Sequence, residues 1–184
     1  MEIKYPEIGI CGLSCRLCPM FQTSSASKCG GCKSEGRMAV GCPFITCAVK
    51  RRGLEFCWDC GESGNCEKWR RHREAGREHD SFKCYQKLDE DIEYVMTHGV
   101  EAFDGQQRAR EKLLLRLLDG FNEGRSKSYF CIATTVMETG ELEAALGEAE
   151  AATISMGIRD RAKAMHSILD ARAVERGYRL SLRK

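Results

Sequence analysis

The 184-residue sequence lacks the features that mark membrane, secreted and strongly charged proteins. It has no run of about 18 apolar residues, so we expect no membrane-spanning helix. Its first residues, MEIKYPEIGI, lack a basic stretch followed by an apolar one, so we expect no secretory signal. The 29 Lys and Arg residues nearly balance the 27 Asp and Glu residues, which gives no overall signal for a polyanionic partner. We therefore expect a cytoplasmic protein, whose thiols stay reduced.

Motifs of several enzyme classes are also absent. We find no GxSxG, no Walker A loop and no GxGxxG followed by a strand–helix unit. The four histidines form neither HExxH nor H-x3-H, and they are expected at the surface or at helix caps rather than on a metal. The sequence therefore favours a non-enzymatic role, although it leaves the question of catalysis open.

Cysteine is what the sequence has in excess. Ten of its 12 cysteines lie within the 56 residues from Cys11 to Cys66. Two residues between cysteines let a tight turn aim both sulfurs at one Zn²⁺, about 2.3 Å from each. Such clusters in a reducing compartment favour metal over disulfides. Three C-x2-C pairs are present, namely Cys15/Cys18, Cys29/Cys32 and Cys57/Cys60.

Structural zinc takes four thiolates, so these cysteines predict two Zn²⁺ ions per chain. Cys47 is preferred to Cys42 as a ligand because residues 48–52 are typical of a short helix that returns the chain to Cys57. Cys11 and Cys42 remain possible replacements for a predicted ligand. The two predicted ligand sets are Cys15, Cys18, Cys29 and Cys32, and then Cys47, Cys57, Cys60 and Cys66.

An iron–sulfur or thiol redox protein is the alternative interpretation. The segment from Cys11 to Cys18 has the C-x3-C-x2-C spacing with which radical S-adenosylmethionine enzymes hold a [4Fe–4S] cluster, and Cys18-Pro19 is similar to the end of ferredoxin motifs. No alternating strand–helix pattern follows, which argues against radical chemistry. Cys84 and Cys131 lie outside the cluster and are expected to be buried core residues.

The composition changes near residue 84. Residues 1–84 hold 11 cysteines and few aliphatic residues, which predicts a metal-binding module whose folding depends on its metal. Residues 85–184 show helical periodicity and no prolines. The fold class we predict is mainly α, with a small irregular cysteine-rich zinc module followed by an antiparallel helical bundle.

Five helices are predicted in the second half. A capping box at Asp104 and Gln107 is expected to begin the second of them, and Gly120 to end it. The third, near Tyr129–Met137, is rich enough in β-branched residues that a strand is possible there. Residues 178–183 alternate apolar and polar, which indicates a short terminal strand. The other three predicted helices are Cys84–His98, Glu141–Ala152 and Asp160–Glu175, the first and last ended by Gly99 and Gly177.

The one dense basic run lies at Lys68–Arg77 and contains Trp69. A basic helix with a tryptophan could bind nucleic acid by contacting phosphates and stacking on a base. The alternative is a solvated helix with pairs such as Arg70–Glu74 and with Trp69 packed on the metal module.

The cysteine motifs resemble those of an uncharacterised family, the "domain of unknown function 3795". The resemblance covers the first third to half of the chain. The sequence departs from the family pattern around residues 38–42, where one further cysteine is expected ahead of Cys42. The resemblance implies metal binding and supplies no reaction. Together with the cysteine spacing, it leads us to expect a zinc-binding interaction or adaptor module. The matching motifs are Cys11-Gly12-Leu13-Ser14-Cys15-x2-Cys18-Pro19, Cys29-x-Gly31-Cys32, Cys47-Ala48 with Gly53-Leu54, Cys57-x2-Cys60 and Cys66-Glu67.

Overall fold

The computed structural model describes residues 2–184, which form seven α-helices and no β-strand. A π-helical turn at Ile45–Arg51 and a 3₁₀ turn at Ser63–Asn65 lie among the cysteines. The fold is therefore mainly α, as predicted, and no helix in residues 2–184 is long and apolar enough to cross a membrane. The helices are α1 (Glu35–Val40), α2 (Glu67–Glu78), α3 (Leu88–His98), α4 (Val100–Phe121), α5 (Lys127–Val136), α6 (Thr139–Ala152) and α7 (Ile158–Arg176).

Helix α4 is the centre of the second half and contacts α3, α5, α6 and α7. Leu113, Leu114 and Leu117 of its leucine run lie in the main core, whereas Leu115 is 49% exposed, so the run is buried on one broad face. Cys84 and Cys131 are buried in the same core, which confirms their prediction as core residues. The other large fully buried side chains of this core include Phe121, Phe130, Leu142, Leu146, Met165 and Leu169.

The predicted capping box is wrong. Gly99 has φ +85°, and α4 begins directly after it at Val100, so Asp104 lies inside the helix and is 6% exposed. Its carboxylate binds Arg16 and Arg108 instead of capping backbone N–H groups. The predicted end at Gly120 is one residue early, because α4 continues to Phe121.

The other helix predictions of the second half are confirmed within a few residues at each end. Residues 127–136 form helix α5 rather than a strand. Gly177 ends α7 in the left-handed conformation with φ +72°. Residues 178–183 do not form the predicted strand, but Tyr178, Leu180 and Leu182 do pack against the main core, as their alternation requires.

The apolar side chains of the cysteine-rich part are buried against α3. Ile8 and Phe56 pack with Val95 of α3, while Leu13 packs with Leu88 and Ile92. A domain boundary near residue 84 stays a prediction, but the apolar residues before and after it share these clusters.

Arg16 ties the cysteine-rich loop to α4. Its side chain is 9% exposed, and its guanidinium contacts the carboxylates of Glu7 at 3.2 Å, Asp104 at 3.3 Å and Glu111 at 2.8 Å. A buried guanidinium is tolerated where carboxylates satisfy its donors, so this cluster fixes the loop on the helix.

A second ionic contact joins the C-terminal segment to the end of α2. The Asp80 side chain is fully buried and accepts hydrogen bonds from Arg183, at 2.7 Å from its backbone N–H and 3.1 Å from its guanidinium. Burial alone would raise the pKa of Asp80, but the hydrogen bonds from Arg183 and from the Tyr85 backbone lower it overall.

This contact predicts a pH-dependent contribution to stability. Because the folded pKa of Asp80 is depressed, its contribution is present above the ordinary aspartate pKa of about 3.9 and is lost as the pH falls below it. We expect Asp80→Asn to lower the free energy of unfolding most at neutral pH, and the difference from wild type to shrink below about pH 4. Urea denaturation across pH measures it, with the exposed Asp160→Asn as control. A difference that is constant over the whole pH range would contradict the prediction.

Gly12 allows the close approach of the cysteine-rich loop to α3. Its φ is +105°, and a Cβ added there would lie 2.8 Å from Cγ1 of Ile92. We expect Gly12→Ala to lower the free energy of unfolding by about 1–3 kcal/mol, since both the backbone and the packing are strained. Gly147→Ala is the matched control, because Gly147 lies within α6 with nothing within 4 Å of an added Cβ. It should be neutral or stabilising in the same denaturation assay. Equal stability of the two variants would refute this account of Gly12.

Candidate metal centre

The first cysteines lie on a tight loop. An isolated antiparallel bridge pairs Ile8 with Ser14, and the Cys15 N–H donates to the Glu7 carbonyl at 2.6 Å. The Cys18 N–H donates to the Cys15 carbonyl at 3.0 Å, which closes the turn expected of a C-x2-C pair. The loop therefore carries Cys11 on its bend, and Cys15 and Cys18 on the turn that follows.

Cys15 and Cys32 meet across the first predicted site. Their sulfurs are 3.9 Å apart, close to the separation of about 3.8 Å expected between two sulfurs on one tetrahedral zinc. A disulfide would require about 2.05 Å. Gly31 permits this approach, because its φ is +94° and an added Cβ would lie 3.1 Å from the Pro6 carbonyl oxygen. The pair therefore has the spacing of two ligands of one metal.

The Cys15 and Cys32 side chains are hydrogen-bonded to each other through their sulfurs. The hydrogen bond from Cys32 lowers the pKa of Cys15 to about 6, with smaller contributions from Lys83 and Lys33. The same contact raises the pKa of Cys32. One thiolate is thus favoured at neutral pH, and the thiolate is the form of cysteine that binds metals.

The second group of cysteines surrounds Cys57. Burial, together with like-charge repulsion from the nearby sulfurs of Cys11, Cys66, Cys47 and Cys60, raises the pKa of Cys57 to about 12. The Cys57 N–H donates to the Ile10 carbonyl at 2.9 Å, which places Cys57 beside Cys11. Among the predicted ligands, Cys47 lies in the π-helical turn and Cys66 directly precedes α2.

The structure brings some predicted ligands together and leaves others apart. The second predicted set lies in one region, and Cys11, which the sequence left as a possible replacement, lies there too. In the first set, Cys18 is close enough to Cys131 to raise the pKa of that thiol. The sulfur of Cys29 makes no hydrogen bond within the described residues, unlike those of Cys15 and Cys32. Cys42 is exposed. Nowhere in residues 2–184 do three or more Cys, His, Asp or Glu side chains take up a metal-binding arrangement.

Cys11 has a sequence signal outside the C-x2-C pairs, namely its C-x3-C spacing to Cys15. In the structure Cys11 lies near both groups, since it influences the pKa of Cys32 and the pKa of Cys57.

Comparison with known proteins agrees with the cysteine pattern. Residues 7–71 match the model of a family described as "Protein of unknown function (DUF3795)". The resemblance is confirmed. No curated protein and no solved structure matches the chain. The DUF3795 segment contains all ten clustered cysteines, so the family match and the candidate metal centre coincide.

Positive charges accompany the thiols of the DUF3795 segment. Lys83 is 8% exposed, donates a hydrogen bond to the Ser14 carbonyl, and favours the thiolates of Cys11 and Cys15 electrostatically. In the second group, Nη1 of Arg52 lies 3.2 Å from the Cys60 sulfur. These cations offset part of the charge that clustered thiolates would carry.

The predicted basic helix is α2, and its arginines are paired within the chain. Arg70 contacts Glu74 at 2.7 Å, and Arg73 and Arg77 both contact Asp89. Trp69 is 4% exposed and packs against Leu13, so its ring is not free to stack on a base. Binding of nucleic acid through Lys68–Arg77 stays a prediction, and it would depend on phosphate contacts alone.

Lys33 connects the two cysteine groups. The side chain of this residue, which follows Cys32 directly, is fully buried and lies 3.7 Å from the centre of the Phe56 ring. Its ammonium donates to the Tyr5 carbonyl at 3.0 Å and to Glu55 at 2.7 Å. Glu55 lies two residues before Cys57, and Lys33 lies one residue after Cys32. This ion pair therefore fixes the position of the first cysteine group relative to the second.

We expect Lys33→Met to lower the free energy of unfolding by about 3–5 kcal/mol, because it removes the ion-pair partner of the buried Glu55 carboxylate and leaves only backbone N–H groups to stabilise its charge. The double variant Lys33→Met/Glu55→Gln should recover part of this loss. Urea denaturation of the wild type, both single variants and the double variant gives the coupling energy of the pair. If the changes in the free energy of unfolding of the two single variants simply add up in the double variant, the ion pair does not stabilise the contact between the two cysteine groups.

Proposed function

We propose that this is a zinc-binding protein with two structural four-thiolate sites in its cysteine-rich half. The observation that carries the proposal is the 3.9 Å separation of the Cys15 and Cys32 sulfurs, which suits two ligands of one zinc and not a disulfide. The 12 cysteines are all free thiols, which leaves them available as ligands.

For the first site we propose Cys15 and Cys32 as the initial pair, completed by their partners Cys18 and Cys29. A zinc ion would supply the attraction that draws the latter two sulfurs to the same point, because ligand binding and folding of such knuckles are coupled. The nearby ammonium groups of Lys33 and Lys83 would offset the excess negative charge of a four-thiolate site.

For the second site we propose a set centred on Cys57. The predicted ligands are Cys47, Cys60 and Cys66 with Cys57, and Cys11 is the alternative for one of them. Four thiolates leave no open coordination position, so this site would contribute folding energy rather than catalysis.

The biological role we propose is that of an interaction or adaptor module for another protein, acting in the cytoplasm. In this proposal helices α3–α7 form an antiparallel bundle that supports the cysteine-rich module.

The test is the metal content of protein purified without oxygen. We expect about two zinc ions per chain, and about one in each of the variants Cys15→Ser and Cys57→Ser, because each removes a ligand from a different site. Cys131→Ala is the matched control and should keep both ions, since Cys131 belongs to the helical core. Elemental analysis and a visible absorption spectrum provide the measurement.

Other outcomes are equally informative. Stoichiometric iron with a brown colour would replace this proposal by the iron–sulfur alternative. Protein that binds no metal and folds normally would reject both.

A further inference from the structure

A groove in the helical half, outside the DUF3795 segment, carries a second set of functional groups. It has a volume of ≈ 1040 Å³ and lies between the segment that precedes α5 and one face of α7. This volume is sufficient for a small molecule considerably larger than a single inorganic ion. We call it the basic groove, after the cations Arg125, Arg159 and Lys163 on its walls.

The cations of the basic groove have few ion-pair partners, so most of their N–H donors are available to a ligand. Within the described chain, Arg125 and Arg159 take part in no ion pair, and Lys163 has one exposed contact of 3.4 Å with Asp160. The two carboxylates that line the groove already have partners. Glu123 accepts a hydrogen bond of 2.6 Å from Ser126, and Asp170 accepts one of 2.6 Å from Tyr129.

At the floor of the groove, Ser126 forms hydrogen bonds with Glu123 and His166, and the donor of each bond can be assigned. The Ser126 hydroxyl lies 2.6 Å from Glu123 and 2.8 Å from Nε2 of His166. Because the carboxylate of Glu123 can only accept, Ser126 donates to Glu123, and Nε2–H of His166 donates to Ser126. The His166 ring is held in this orientation by stacking on Tyr129, with 3.9 Å between the ring centres.

This arrangement is suited to binding and not to nucleophilic catalysis. A serine is activated when a histidine nitrogen accepts its proton, and here Nε2 of His166 acts as a donor to Ser126. The groove therefore does not contain a working Ser–His pair, although the residue types would allow one.

Two helix starts reinforce the positive character of the groove. Ser126 precedes the first residue of α5 and makes no side-chain capping bond, and Arg159 lies in the first turn of α7. The unpaired N–H groups and the dipole at a helix start favour an anion.

We propose that the basic groove binds a phosphate-bearing small molecule, a phosphomonoester whose phosphate lies among Arg125, Arg159 and Lys163. Three cations and two helix starts favour a dianion over a carboxylate, which a single guanidinium can neutralise. The remainder of the ligand would occupy the rest of the groove. This site is independent of the proposed zinc sites, since none of its residues lies in the DUF3795 segment.

The probe is adenosine monophosphate, compared with inorganic phosphate and acetate by isothermal titration calorimetry at one low ionic strength. We expect adenosine monophosphate to bind more tightly than phosphate, and acetate to bind at least tenfold more weakly than either. The variant Arg125→Gln/Arg159→Gln should weaken binding of adenosine monophosphate at least tenfold, because it removes two guanidinium groups that would form charge-assisted hydrogen bonds to the phosphate.

The matched control is Arg37→Gln/Lys112→Gln, which removes the same charge at exposed positions outside the groove. It should bind as the wild type does, and all forms should keep their far-UV spectra and zinc content. The proposal is overturned if adenosine monophosphate does not bind, if acetate binds equally well, or if both double variants bind alike.

Discussion

Arg16 lies in the sequence between two candidate ligands, Cys15 and Cys18, yet its guanidinium binds mainly to another part of the chain. It reaches Asp104 and Glu111 on α4, as well as Glu7 at the start of its own loop. Removing such a group from water is costly unless carboxylates surround it, so the loop has one position on α4 that satisfies this requirement. The same loop carries Cys15, whose sulfur faces that of Cys32, and Gly12, which lies against α3.

The cysteine-rich half combines three weak sources of stability. It shares the apolar face of α3, through Ile8 and Leu13, because it has few aliphatic residues of its own. It uses buried ion pairs, of which Lys33–Glu55 is the most enclosed. In the proposed function it also gains the binding energy of two zinc ions, which small modules of this kind commonly need. The helical half has the opposite character, with one continuous core around α4.

The helices of the second half could be predicted because their apolar residues recur at helical spacing and because Gly99 and Gly177 mark ends. The capping box failed because a local motif cannot reveal Arg16, a partner 88 residues earlier. The cysteine spacing indicated which residues form the candidate centre, but not that Cys11 approaches Cys57, which depends on how the loop folds back. The basic groove could not be predicted from the sequence. Arg125 precedes α5, and it approaches Arg159 and Lys163 of α7 only through the tertiary packing of these helices.

The contact between Asp80 and Arg183 also bears on how the chain folds. It joins residues 103 positions apart, and the backbone N–H of Asp80 donates to the Arg183 carbonyl at 2.9 Å. Closing so long a loop has a high entropic cost, and contacts of large sequence separation slow folding. Most other contacts of α3–α7 are between neighbouring helices and can form early. The pairing of Asp80 with Arg183 thus encloses the entire helical half of the chain in one closed loop.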